Sequence, residues 1–303
     1  MQLEDPSVVA SLDRSTGQQL LGGMGELHLE VVCKRISSEH KLKLHIGPMR
    51  VAYREGVASA TTHVSTHSAH LKEDASAEVT VTLRVEPTLE SISQSTWLPI
   101  GLPTGQAGGS NGEGSASVHA AEPAHGTVSL VVDEGLCRRL SATELDAVLE
   151  GLQGATQYGE LLGFPLHALR VTLQGLKRPQ STPPEALAAA AADALGAAIK
   201  EAGALVLEPL MKIEVQLPEH HVGGVLSELT NARRSNIEQL VAPTGGSTRH
   251  TVRALAPLAR LVGFASDLRS QTRGEAALSL EFSHYAPLDP HSQQQLMDQI
   301  RGY

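Results

Sequence analysis

The sequence predicts an α+β protein, and three observations carry that reading. Strict alternation marks strands at Val79, Val81, Leu83 and Val85, at Leu169, Val171 and Leu173, and at Met211, Ile213, Val215 and Leu217. Spacing of i, i+3, i+4, i+7 marks helices at Leu29, Val32, Cys33 and Ile36 and at Val222, Val225, Leu226 and Leu229. The element order of the last region, β-α-β-β-α-β, joins consecutive strands directly instead of strictly alternating strand and helix.

The first ~50 residues read strand, strand, helix, strand by this periodicity. Val8 to Leu12 and Gln18 to Leu21 are short strands around a turn at Asp13–Gly17, and a helix follows from Gly25 to Glu39. Leu42, Leu44 and Ile46 alternate as a further strand that ends at Gly47-Pro48. The middle region, 51–204, holds the Val79–Val85 strand and then a stretch of Ser, Gly, Pro and Ala at about 91–126. That stretch has too little apolar surface to offset chain entropy, so a disordered loop is expected. Val128, Leu130 and Val132 resume a strand, and Ser141-Ala142-Thr143-Glu144 has the form of a capping box. The helix behind that box puts Leu145, Val148, Leu149 and Leu152 on one face. The Leu169–Leu173 strand, a Pro-rich turn and an Ala-rich helix from Glu185 to Ala202 complete the region. Leu187, Leu195 and Ile199 make that last helix a thin core element.

The last region, 205–287, orders its elements β-α-β-β-α-β, which is the ferredoxin-like arrangement. Its second half comprises strands near Ile237–Val241 and Thr248–Ala254, a helix through Leu258, Leu261, Val262, Ala265 and Leu268, and a strand at Leu278, Leu280 and Phe282. Residues 288–303 form a helical extension. The opening β-β-α-β is half of the same unit. Half a unit exposes a sheet edge and face, so the chain is expected to begin inside a domain.

Composition narrows the function classes. A net charge of −9 excludes a general nucleic-acid binder driven by bulk electrostatics, though not a local basic patch on folded RNA. Aromatic residues make up 3%, so the cores rest on Leu, Val, Ile and Ala. Cys33 and Cys137 stand far apart with no C-x-x-C pair, against a zinc site or a disulfide framework. No apolar run reaches the ~18 residues of a membrane span.

Four segments resemble a known family. Ser11 to Glu30, SLDRSTGQQLLGGMGELHLE, is similar to the third domain of elongation factor G, and GPMRVAYRE at Gly47–Glu55 to the junction into its fourth domain. LEPLMKIEV at Leu207–Val215 resembles the entry to the fifth domain, and PLARLVGFASDLRSQTRGEAALSLEFSHY its second half. They occur in the family's order over nearly the whole chain. The resemblance implies a middle domain of the ribosomal-protein-S5-like α+β type between a partial third domain at 1–50 and a ferredoxin-like fifth domain. It also implies a chain that engages the ribosome, without membrane or DNA partners, as a monomer.

The Gly47-Pro48 junction and the extension LDPHSQQQLMDQIRGY are closer to the mitochondrial recycling branch of that family, the ribosome-releasing factor 2 type, which acts with a ribosome recycling factor. Translocating members have G-S-Y-H-D-V-D-S-S at the tip of the fourth domain. The matching Gly175–Pro184, GLKRPQSTPP, has no histidine, which favours recycling over translocation. Two alternatives stand beside it: a translocation factor of mitochondrion, plastid or bacterium, and a stand-alone ribosome-binding protein without GTPase activity.

Enzymatic motifs are absent. GGSNGEG lacks the G-K-[ST] ending of a phosphate loop, and no N-K-x-D guanine signature occurs. The chain is therefore expected to bind no cofactor and hydrolyse no GTP; the resemblance implies that GTP and Mg²⁺ would bind an N-terminal domain outside this sequence. No G-x-S-x-G set between a strand and a helix supports an unrelated enzyme on the same fold; GGSNG at 108–112 lies in the Gly/Ser-rich stretch. Glu26, His28 and Glu30 fall at i, i+2, i+4 and make no H-E-x-x-H site, and His67/His70 and His220/His221 read as solvated polar residues. The candidate ribosomal RNA contacts are Lys177 and Arg178 in the turn before the Ala-rich helix, Arg233 and Arg234, and Arg269 and Arg273 around the turn Thr272–Gly274. Gly22, Gly23 and Gly25 provide the tight strand-to-helix turn.

Overall fold

The computed structural model describes residues 8–12, 19–23, 26–41, 43–47, 50–70, 76–88, 128–180, 182–243 and 248–302. The Gly/Ser-rich segment at 91–126, the turn at Asp13–Gly17 and Gly25 lie outside the described residues. The chain divides into two compact units. One takes the chain up to Ala52 together with Glu208–His284, and the other takes Tyr53 through Leu207 and Tyr285 onward, each apart from residues not described.

In the first unit, β1 (Val9–Leu12) and β2 (Gln19–Gly22) pair antiparallel with Val9 opposite Gly22, and α1 (Glu26–His40) follows. The strand expected at Leu42, Leu44 and Ile46 is not formed: 43–47 has no regular structure, and Leu44 and Ile46 are exposed. Alternation of apolar residues is a strand signal only where a neighbouring strand and a covering helix use it. Here no described strand pairs with the segment.

The same unit holds most of β8 (Ala204–Pro218), then α5 (Glu219–Ser227), one π-helical turn at Glu228–Ala232, β9 (Asn236–Val241) and β10 (Arg249–Pro257). Two short helices, α6 (Leu258–Leu261) and α7 (Phe264–Gln271), precede β11 (Ala277–Pro287). Strand order β11-β8-β10-β9 places the first and third strands of this region at the centre, as a ferredoxin-like sheet requires. Met211, Ile213, Val215 and Leu217 bury one face of β8 against Val225, Leu229, Phe264 and Leu268. The expected second helix is two helices because Gly263 adopts φ +78 between them.

The second unit is a four-stranded sheet ordered β4-β5-β7-β6, from β4 (Thr61–His70), β5 (Ser76–Pro87), β6 (Ser129–Val132) and β7 (Leu169–Lys177). β6 runs parallel to β7, with Val132 opposite Leu173, while β5 lies antiparallel between β4 and β7. The short helix α2 (Glu134–Cys137) leads to α3 (Ala142–Ala155), and α4 (Pro184–Ala202) packs beside it. Val79, Val81, Leu83 and Val85 meet Leu187, Ala190, Ala194 and Leu195 in one core. The alanines let α4 lie close to its neighbours. A Cβ at Gly151 of α3 would stand 2.2 Å from the carbonyl oxygen of Ala188, so that crossing needs a glycine.

At the opposite end of this unit, β3 (Arg54–Val57) pairs with the first four residues of β8, and α8 (Pro290–Arg301) closes the chain. Gln293 of α8 accepts the Val206 amide at 2.9 Å, and the Leu288 amide donates to the Val206 carbonyl at 2.9 Å.

Candidate nucleic-acid interface

β7 continues through Lys177, so three residues expected in the tip turn belong to a strand and the turn itself shortens to Arg178–Pro183. Lys177 points its exposed side chain to solvent with no partner among the described residues. Arg178 does not. Its guanidinium holds Glu144 at 2.6 Å through Nε and 2.5 Å through a terminal nitrogen, with the pair about one-fifth exposed. Glu144 is at the same time the third residue of α3, where its carboxylate accepts from the Ser141 amide at 2.9 Å. The Ser141 hydroxyl in turn accepts from the Glu144 amide, completing the expected capping box. Arg178 and the Ser141 amide together hold the Glu144 carboxyl down at about 2.

Because β6 and β7 run in parallel, the segment after β6 lies at the same end as the turn after β7. That segment presents Arg138 and Arg139, both exposed, immediately before the Ser141 cap. Sequence reasoning passed over this pair; a doublet of arginines between a short helix and a capping box was the available signal. One end of the second unit thus exposes Lys177, Arg138 and Arg139 as cations, with Arg178 committed to the scaffold.

In the first unit, Arg233 is also committed. It bonds Glu228 at 3.1 Å, pairs with Asp267, and donates to the carbonyls of Arg260 at 2.9 Å and Val262 at 3.2 Å. Its guanidinium stands 5.4 Å from the Phe264 ring centroid. This side chain ties the π-helical turn to the α6–α7 junction, where carbonyls at the end of α6 need donors. Arg234 adopts φ +52 beside it and is exposed. Arg269 in the last turn of α7 and Arg273 in the turn beyond, at φ +53, are exposed and have no side-chain partner among the described residues. They are the free cations of this unit's candidate set.

Gly22 ends β2, and a Cβ on Gly23 would meet His28 Nδ1 at 2.9 Å and Leu29 at 3.0 Å. His67 is not merely solvated: it pairs with Asp193 of α4 at 2.7 Å, as His63 does with Glu201 at 2.6 Å. The His70 side chain and Glu26 side chain lie outside the described ones. His220 and His221 both approach Glu275, at 3.3 Å each.

A structural site that the sequence did not announce sits at Glu55, which is fully buried. Its carboxylate accepts the amides of Leu161 at 2.8 Å, Leu162 at 2.8 Å and Phe164 at 3.0 Å. Beside it, the His167 ring centre lies 4.5 Å from that of Tyr285 with the planes tilted by 59°, and Arg54 lies 5.8 Å from the centre of the Tyr285 ring. Burial first, and Arg54 second, depress the His167 imidazole to about 4, so it is neutral at pH 7.

Comparison with known proteins completes the description. The family described as Elongation Factor G, domain III matches residues 1–48, and that described as Elongation factor G C-terminus matches residues 205–296. Residues 1–48 and 205–296 are thus domains of the elongation factor G family. Mitochondrial ribosome-releasing factor 2 of Danio rerio is 31% identical over 302 residues, covering 100% of this chain and 35% of that protein. Elongation factor G 1 of Bdellovibrio bacteriovorus is 32% identical over 287 residues, covering 94% of this chain and 36% of that protein. A crystal structure of a Thermus thermophilus protein superposes with TM-score 0.68 at 24% identity, over 100% of this chain and 39% of that one, and so shares the fold. The chain spans about a third of the length of the two curated relatives.

Proposed function

We propose that this chain is the ribosome-engaging portion of an elongation-factor-G-type translational GTPase, and that its task is mitochondrial ribosome recycling, in which subunits are split together with a ribosome recycling factor. It hydrolyses no GTP by itself. GTP and Mg²⁺ act on a part of the factor beyond these domains.

The observation that carries the recycling reading is the turn after β7. Reduced to Arg178–Pro183, it offers no histidine to a decoding site, and its one arginine is held by Glu144. The neighbouring cations, Lys177, Arg138 and Arg139, suit phosphate contacts that position without reading bases. Identity along the full chain to a protein named ribosome-releasing factor 2 supports the same task and the mitochondrial compartment. The similar identity to a bacterial elongation factor G 1 is what favours translocation as the second reading.

A chimera decides between them: elongation factor G with this chain in place of its own corresponding domains. Splitting of post-termination ribosomes with recycling factor present, read by light scattering, is the expected result. A one-codon advance of the messenger without splitting would replace recycling by translocation.

A further inference from the structure

His220 and His221 lie in the first turn of α5, and Glu275 lies in the turn between α7 and β11. Among the described residues these three are the one group of imidazoles, thiols and carboxylates close enough to share an ion. Successive residues of a helix project roughly 100° apart, so two adjacent imidazoles ordinarily diverge. Here both Nε2 atoms come within 3.3 Å of the same oxygen, Glu275 Oε2, and the ring centroids stand 4.1 Å apart.

The distance itself is informative. A charge-assisted N–H···O contact closes to about 2.7–2.9 Å. Donor atoms around a tetrahedral zinc ion, each about 2.0–2.2 Å from the metal, stand about 3.3–3.5 Å from one another. The His–Glu separations match the second figure and exceed the first. Two imidazoles and a carboxylate are also a donor set for borderline transition metals, and not for magnesium or calcium.

We propose that His220, His221 and Glu275 form a binding site for a divalent transition-metal ion of the zinc type, with two Nε2 atoms and Oε2 as ligands and solvent in the fourth position. The His221 side chain is 18% exposed and thereby restrained, whereas His220 and Glu275 at 67% and 50% leave the entry open. The Glu275 carboxylate supplies the negative charge that offsets a cation at the positive end of α5. A bound ion fastens the start of α5 to the turn that leads into β11, across the ferredoxin-like unit.

Calorimetric titration of the 303-residue chain with zinc chloride tests this. One saturable site per chain is expected, reversed by a chelator. His221→Ala and Glu275→Gln each weaken it by at least about tenfold, while His63→Ala, in the other unit, leaves it unchanged; circular dichroism establishes that each variant is folded. The absence of a saturable site, or zinc binding as tight in His221→Ala and Glu275→Gln as in the parent, overturns the proposal.

Discussion

Glu55 accepts the backbone amide of Leu161 at 2.8 Å across 106 residues of chain, and with Leu162 and Phe164 the same carboxylate binds three amides of one loop. The Glu55 backbone adds two bonds, donating to Pro165 and accepting from His167. Gly159 is forced by this arrangement, since a Cβ there would lie 2.1 Å from Oε2. Replacing Glu55 by Gln turns one acceptor into a donor facing an amide. The variant is expected to lose about 2–4 kcal/mol of stability, because buried donors lose their partner outright. Urea unfolding monitored by circular dichroism measures it, and an unchanged midpoint would sink the assignment of a structural role.

Arg178 and Glu144 predict an acid-sensitive cap. The Glu144 carboxyl is lowered from an ordinary 4.5 to about 2, first by Arg178 and then by the Ser141 amide. A depressed carboxyl contributes stability that is complete above its unfolded value and disappears as pH falls through its folded one. Wild-type protein should therefore lose this contribution between about pH 5 and pH 2. Arg178→Ala should cost about 1 kcal/mol at pH 7, in keeping with a partly solvated pair on a helix cap, and much less at pH 2. Equal cost at both pH values would contradict the pairing.

His167 predicts a second acid window. Its folded value of about 4 lies below the ordinary 6.5, so the unfolded chain binds the proton more readily. Stability due to this residue is complete above about pH 6.5 and falls as pH drops toward 4, by at most about 1.4 kcal/mol per pH unit. His167→Asn should flatten the stability profile in that window. A profile of unaltered slope would show that the imidazole is not buried neutral.

Gly151→Ala tests the α3–α4 crossing. The added Cβ would stand 2.2 Å from the backbone oxygen of Ala188, which cannot rotate away. A loss of about 1–3 kcal/mol is expected, against the slight gain that the same change brings on an open helix face. Gly154, three residues on with nothing within 4 Å, is the control: Ala there should leave stability unchanged or improve it.

Much of the fold was legible because each signal was used by a partner. The Val79–Val85 alternation lines a core with α4, and the Ser141–Glu144 pattern closes as a capping box. The Leu42–Ile46 alternation looked the same in sequence but meets no described strand, so periodicity alone did not suffice. The candidate cations divided in the same way. Arg178 and Arg233 resemble Lys177, Arg269 and Arg273 in sequence, yet Glu144, and Asp267 with the Arg260 carbonyl, bind them from some thirty residues away, which sequence spacing does not reveal. Glu55 was illegible for the reverse reason: its partners are main-chain amides, which have no sequence signature.

The most direct test of a ribosome-engaging portion is sedimentation of the chain with mitochondrial ribosomes across a salt series, without nucleotide. The proposed phosphate contacts of Lys177, Arg138, Arg139, Arg269 and Arg273 predict co-sedimentation that weakens steeply as salt rises. Arg269→Ala/Arg273→Ala should lower both the affinity and the salt slope, and full-length elongation factor G should compete. Failure of the folded chain to sediment with ribosomes at any salt concentration, or binding that is indifferent to salt and to competitor, would contradict the account.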